Sequence, residues 1–261
     1  MRSLAASLRI GCVKYLNARP LIHGWPGPVS FDHPAALSEK LAAGELDVAF
    51  VSSFEFLRNP VYTIADDVAL GSDGAVYSVF VAHEDSIENI REIAVDPASL
   101  TSVNLLRCIL AERGLQPAFV ALAGDDAAEV NLERGCLLIG DQAIRFRESH
   151  TGSFEFLDLG AEWRRMTGLP FVFALWLLRP EAEQPRDIAD LLRRQRDNNL
   201  HSLERLIAAE KDFAPEFCAR YFRSYLRFGF AEAEKAGLLK FRALCEKHGI
   251  LPPNATPLRL V

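Results

Sequence analysis

Through the first two thirds of the chain, short apolar runs alternate with segments whose apolar residues recur at helical spacing. "LRIGCV" (residues 8–13), "VSFDH" (29–33) and "LDVAFVS" (46–52) have the brief, largely apolar character of strands. Between them lie two helix-like segments, "RPLIHGW" (19–25) and "PAALSEKLAAGE" (34–45). Pro34 sits near the start of the second, where its missing N–H removes no helical hydrogen bond. This is the βαβαβ rhythm of a parallel sheet. "SFEFLRNP" (53–60) follows, then the strand-like runs "YTIADDVALGS" (62–72) and "AVYSVFVAH" (75–83), with Gly71 and Gly74 marking the turn between them.

A second α/β unit starts near "REIAVD" (91–96). Its first helix is predicted from the Thr101-Ser102 pair to Gly114, a capping start and a glycine stop. "PAFVAL" (117–122), "CLLIGD" (136–141) and "FEFLDLG" (154–160) read as further short strands. "PFVFALWLLRP" (170–180) is a long apolar run flanked by prolines, which disfavour a helix and suit a buried strand crossing between lobes. Beyond Pro185 the strand signals stop, and helical spacing predicts three helices within residues 186–210, 215–230 and 231–251. The compact start and the restart at Arg91 favour two lobes with a ligand between them.

Composition narrows the class. A formal charge of −6 argues against a general nucleic-acid binder, while leaving local anion sites open. No apolar run reaches the roughly 18 residues of a membrane span. Arg9 interrupts the apolar patch of "MRSLAASLRIGC" before a signal-peptide core forms, and it occupies a position where a lipid-attachment motif places an aliphatic residue. Residues 1–8 therefore read as a loose leader on a cytoplasmic protein. Five widely spaced cysteines and six unpaired histidines fit neither a disulfide framework nor a metal site.

Ligands of open α/β sheets gather where strands end and helix N-termini offer free N–H groups. Four such junctions carry small polar residues: Asn17, Ser52-Ser53, Thr101-Ser102 and Asp141. An Asn amide both donates and accepts, so Asn17 suits contact with a hydroxyl and a carboxylate, or a turn cap. The two hydroxyl pairs suit neutral anion cradles, or ordinary helix caps. Placed on different lobes, they would clamp a ligand carrying two carboxylates. Asp141 suits a base or hydroxyl acceptor, or an N-cap, and Ser78 a ligand contact or a buried hydroxyl bonded to backbone. No Walker loop, dinucleotide fingerprint or nucleophile elbow is present, and "RRQRDNN" reads as a solvated helix face.

At these residues the chain resembles the menaquinone-pathway family typified by chorismate dehydratase of the futalosine route. The likeness rests on "VKYLNARPLIHGW", "GELDVAFVSSFEFLRN", "SDGAVYSV", "LTSVNLLR", "LIGDQAI" and "LGAEWRRMTGLPFVFALW", in family order. It implies an α/β, two-lobed, type II periplasmic-binding-protein-like fold with mixed sheets and a helical C-terminal segment. Lobe I would comprise residues 1–82 and 176–261, lobe II residues 83–175, with the ligand cleft between them. The implied reaction removes water from chorismate to give 3-[(1-carboxyvinyl)oxy]benzoate, as a cytoplasmic hydro-lyase without metal or organic cofactor. The implied partner is that small anionic substrate, with no nucleic acid and no membrane. Carried over, Asn17 and Asp141 become the reaction-site residues, and Ser52, Ser53, Ser78, Thr101 and Ser102 the substrate contacts. The proton acceptor stays open between Asp141 and a substrate carboxylate. Tyr77, Asn104 and the run "PASLTS" depart from the family pattern. They keep alive a lyase for another cyclic carboxylic acid, beside a non-catalytic binding protein for a small carboxylate.

Overall fold

A computed structural model of the chain describes residues 2–96, 98–122 and 134–261. In chain order the elements are α1 (Arg2–Ser7), β1 (Ile10–Cys12), α2 (Arg19–Ile22), β2 (Val29–Phe31), α3 (Pro34–Ala42), β3 (Val48–Ser52), α4 (Ser53–Arg58), β4 (Thr63–Ser72) and β5 (Val79–His83). They continue with β6 (Glu92–Val95), α5 (Leu100–Glu112), β7 (Ala118–Ala121), β8 (Arg134–Ile139), α6 (Gly140–Ser149), β9 (Glu155–Asp158), α7 (Leu159–Thr167) and β10 (Phe171–Leu178). The chain closes with α8 (Pro185–His201), α9 (Leu203–Ala209), α10 (Pro215–Arg220) and α11 (Glu232–Lys247). A 3-10 turn (Leu16–Ala18) precedes α2, and a π-helical turn (Tyr221–Tyr225) continues α10.

Among the described residues the strands form two five-stranded sheets, ordered β2-β1-β3-β10-β4 and β7-β6-β8-β5-β9. Each has the same plan. Three parallel strands (β1, β2, β3; β6, β7, β8) adjoin an antiparallel strand that enters from the other half of the chain, β10 in the first sheet and β5 in the second. β3 and β5 are buried at every position, which is why their sequences are runs of apolar residues rather than alternations: helices cover both faces. β10 lies between β3 and β4, buried at seven of eight positions, with Pro170 and Pro180 just outside it. Close packing brings α11 against the entry to this strand, since a Cβ on Gly237 would clash with the Pro170 carbonyl oxygen.

Asp158 fixes the crossing between the sheets. Its carboxylate accepts the backbone N–H groups of Val76 (3.0 Å) and Tyr77 (2.8 Å) and caps α7 through Ala161 N–H (3.0 Å). Tyr77 has φ +69° there, so the strand expected from Ala75 begins at Val79. Two further expectations change. The N-terminal residues form α1 rather than a loose leader, with Ala5 and Leu8 buried against the body. The three expected C-terminal helices become four, because the first breaks at Ser202 and the second gives way to the π turn.

Candidate functional site

The strand ends converge on a cleft between the sheets, enclosing about 670 Å³ with open solvent at its mouth included. Asn17, Ser52, Thr101 and Ser102 line it, together with Tyr15 and Phe173. Among the described residues its walls carry no Lys, Arg or His.

Neutral donors are concentrated at the start of α5. The amides of Leu100, Thr101 and Ser102 precede the first intrahelical bond, Val103 N–H to the Ser99 carbonyl at 3.0 Å, and have no hydrogen-bond partner among the described residues. Ser102 lines the cleft beside them. The second expected cradle is already occupied. Thr101 Oγ1 lies 2.5 Å from Ser52 Oγ and accepts the Phe54 N–H at the start of α4 at 3.2 Å. The hydroxyl pairs therefore join across the cleft, leaving one open cradle at α5. Ser53 is fully buried and donates to the Val172 carbonyl oxygen at 2.7 Å, tying α4 to β10. Ser52 ends β3 and lines the cleft, whereas Ser53 opens α4, is fully buried and also approaches Thr101 Oγ1 at 3.4 Å.

Asn17 lies in the 3-10 turn after β1, with its Oδ1 buried and without a partner. Asp141 stands behind that turn, where its Oδ1 accepts the Leu16 N–H at 2.8 Å. Burial raises the Asp141 pKa above the ordinary aspartate value, while the Leu16 N–H and the nearby Arg145 and Arg19 act in the opposite direction. Asp141 is absent from the cleft walls. Ser78 is also fully buried, with its hydroxyl accepting from Tyr221 at 2.6 Å.

Two aromatic residues went unnoticed in the sequence. Tyr15 lines the cleft and packs on Gly140, whose φ is +63° and where a Cβ would sit 3.2 Å from the Tyr15 ring. Its hydroxyl pKa is raised, first by burial and then by Asp96 and Asp141. Tyr221 is wholly buried, and burial drives its pKa strongly upward. Tyr221 stands among apolar residues at helical spacing and Tyr15 beside an apolar strand run, so neither carried a signal beyond its residue type. Of the family departures, Tyr77 and Asn104 are absent from the cleft walls, whereas Ala98, Ser99 and Leu100 of "PASLTS" line them. Tyr77 packs against Phe217 and Tyr225, and Asn104 donates to the Leu100 carbonyl oxygen at 2.9 Å. Pro97 of "PASLTS" lies outside the described residues.

Two sheets of matching order with a cleft at their strand ends define an α/β protein of the periplasmic-binding-protein fold. Solved structures agree. A protein from Archaeoglobus fulgidus superposes with a TM-score of 0.69 at 20% identity, over 94% of this chain and 98% of that one. The periplasmic aliphatic sulphonate binding protein of Escherichia coli gives 0.64 at 18% identity, over 94% and 88%. The chain belongs to the menaquinone biosynthesis family, whose sequence model it matches over residues 8–247. It is 29% identical over 255 residues to a chorismate dehydratase from Thermus thermophilus, covering 89% of this chain and 93% of that one. No helix among the described residues is long and apolar enough to cross a membrane.

Proposed function

We propose that the chain is a chorismate dehydratase, a hydro-lyase that converts chorismate to 3-[(1-carboxyvinyl)oxy]benzoate and water in menaquinone biosynthesis. The observation that carries this reading is the buried, unpartnered Asn17 Oδ1 beside the open amide cradle of α5, in a chain of this family and similar throughout to a chorismate dehydratase. Chorismate has two carboxylates and a ring hydroxyl. A carboxylate seated at the α5 amides with Ser102 is stabilised by the helix dipole, and Asn17 meets the hydroxyl.

The reaction removes a proton from the ring carbon bearing the enolpyruvyl ether and a hydroxide from the neighbouring carbon. The C–H electron pair forms the new ring double bond, the C–O bond breaks, and proton and hydroxide leave as water. Aromatisation drives the elimination. Orientation and exclusion of water are then the protein's main tasks. Asp141 spends one oxygen on Leu16 N–H and stands outside the cleft walls, so a substrate carboxylate is the better-placed proton acceptor. Asp141 then acts by holding the turn that carries Asn17. Ser53 and Ser78 support the site from behind, while Ser52, Thr101 and Ser102 contact the substrate. The five cysteines are all free and buried, in keeping with a reducing cytoplasm.

The test is incubation of the purified protein with chorismate, following loss of the diene absorbance and identifying the product. Asn17→Ala is expected to lower kcat more than tenfold, about 1.4 kcal/mol. Saturable binding without turnover would instead indicate a solute-binding protein. Turnover of a different cyclic carboxylic acid, with chorismate inert, would move the reading to another lyase.

A further inference from the structure

Among the described residues three aromatic side chains line the cleft, and they differ in how much ring surface they offer. Phe50 is 1% exposed and packs against Trp176 with ring centroids 5.1 Å apart. Phe173 is 8% exposed and meets Phe171 edge-on at 4.7 Å. Tyr15 is half-buried, and no aromatic ring among the described residues stacks on it.

One face of the Tyr15 ring is already covered. A Cβ on Gly140 would lie 3.2, 3.3 and 3.4 Å from its Cγ, Cδ1 and Cδ2. A point in the ring plane beyond Cγ is much nearer to Cγ than to either Cδ, so three nearly equal separations place Gly140 over the face. Gly140 opens α6 with φ +63°, and having no side chain it lets the ring lie close against the backbone. The Tyr15 backbone is fixed as well. Its carbonyl oxygen accepts the Ala18 N–H at 3.1 Å, and Asp141 holds the N–H of the next residue, Leu16, at 2.8 Å. The ring is thus backed from one side, and the surface it gives the cleft belongs to the other.

Asn17 stands two residues along the same turn and also lines the cleft. A substrate ring whose hydroxyl meets Asn17 therefore lies beside Tyr15, and the elimination changes that ring's shape. Before it, the carbon bearing the ether and the carbon bearing the hydroxyl are tetrahedral, and the ring is puckered. Afterwards both are trigonal and the ring is flat. Offset stacking of two flat rings adds a few-fold to about tenfold in affinity over the contact area alone. Contact that grows as the ring flattens is stronger in the transition state than in the ground state.

We propose that Tyr15 is a specificity-determining residue: the face of its ring opposite Gly140 is a stacking surface that selects planar ring carboxylates. The inference rests on the dehydratase reading for its kinetic consequence, whereas the selection itself is a property of binding.

The experiment measures, by calorimetry, the binding of isophthalate and of cis-cyclohexane-1,3-dicarboxylate, two dianions that differ in having a flat or a puckered ring. Wild type is expected to bind isophthalate at least fivefold more tightly. Tyr15→Leu and Tyr15→Ile, with denaturant unfolding identifying which is folded, should bring the two affinities within twofold of each other. Tyr15→Phe should restore the preference. A wild type that lacks the preference, or that does not bind isophthalate, would overturn the proposal. So would a preference that survives in the aliphatic variants, or one lost equally in Tyr15→Phe, which would assign the contact to the hydroxyl. The second measurement is turnover of chorismate, for which the aliphatic variants should lower kcat at least fivefold. A kcat within twofold of wild type would overturn the kinetic consequence. A folded wild type inert toward chorismate, with the planar preference present and lost in Tyr15→Leu, would refute the dehydratase reading while sustaining the role of Tyr15. Turnover of chorismate without any planar preference would do the reverse.

Discussion

The Asp141 carboxylate accepts the Leu16 backbone N–H at 2.8 Å, joining positions 125 residues apart and linking the start of α6 to the turn that carries Asn17. An acceptor oxygen is what the turn needs, and an amide supplies one. Asp141→Asn is therefore expected to keep turnover within about fivefold of wild type, whereas a general base replaced by an amide would lose about 10²–10⁴. Its stability should also differ in a pH-dependent way. Burial raises the folded-state pKa of Asp141 above its unfolded value, so the native state holds that proton more tightly. Wild-type stability attributable to this group then falls as pH rises through the aspartate range and levels off above the folded pKa. The variant has no such loss. Its Tm relative to wild type should rise as pH increases from about 4 and stay flat above the folded-state pKa, and a relative Tm that falls as pH rises from about 4 would contradict the assignment.

Thr101 is the joint between the two hydroxyl pairs. Its oxygen meets Ser52 Oγ and satisfies the Phe54 N–H. Thr101→Val keeps the shape and removes the oxygen, leaving a buried amide without an acceptor, a loss of about 1–3 kcal/mol. Denaturant unfolding should show a lower midpoint with unchanged slope. Substrate affinity should fall too, because Ser52 loses the partner that holds it at the cleft wall. A midpoint unchanged from wild type would remove Thr101 from this role.

Much of the scaffold could be read in advance because β3, β5 and β10 are buried on both faces and their sequences are correspondingly apolar. The strand-to-helix junctions were legible for a similar reason: small polar residues end apolar runs where helix amides are free. What those junctions do to one another was not. The Ser52–Thr101 and Asp141–Leu16 contacts join positions 49 and 125 residues apart, and sequence spacing contains no distance between lobes. Nor could it separate Ser52, which lines the cleft, from the fully buried Ser53. Tyr221 was hidden among apolar residues at helical spacing, and only the π turn and the Ser78 contact distinguish it from core. The break of the C-terminal pattern at Ser202 likewise leaves no proline or glycine signal.

The cysteines offer a prediction about reactivity. All five are buried, and burial raises the thiol pKa of Cys136 and of Cys218 to about 11 and that of Cys12 further. Cys108 and Cys245 face each other at 3.7 Å between Sγ atoms, in the core between α5 and α11. Thiolate, rather than thiol, attacks a disulfide reagent. The native protein should therefore show no fast-reacting thiol toward an aromatic disulfide reagent at pH 8, with five equivalents appearing after denaturation. One or more equivalents reacting within seconds in the native state would show that a cysteine is more accessible than this packing allows.

Gly140 sets the distance between the second sheet and the cleft wall. It follows β8 with φ +63°, a conformation that an L side chain adopts at a penalty of about 1–2 kcal/mol. Its N–H also donates to the Ser78 carbonyl oxygen, so the backbone cannot relax freely toward another conformation. A methyl group here would meet the Tyr15 ring at 3.2–3.4 Å, a contact closer than aliphatic packing favours. Tyr15 is held between that position and the cleft, so displacing its ring reduces the space available to a ligand. Gly140→Ala is expected to lower stability by about 1–2 kcal/mol through its φ, and to raise KM several-fold through the Tyr15 ring. Tyr15→Ala added to Gly140→Ala separates these effects: it relieves the contact but leaves the backbone penalty. The double variant should therefore be no more sensitive to Gly140 in KM, while the stability loss assigned to φ persists. If Gly140→Ala changes KM equally with and without the Tyr15 ring, the glycine acts through the α6 backbone instead.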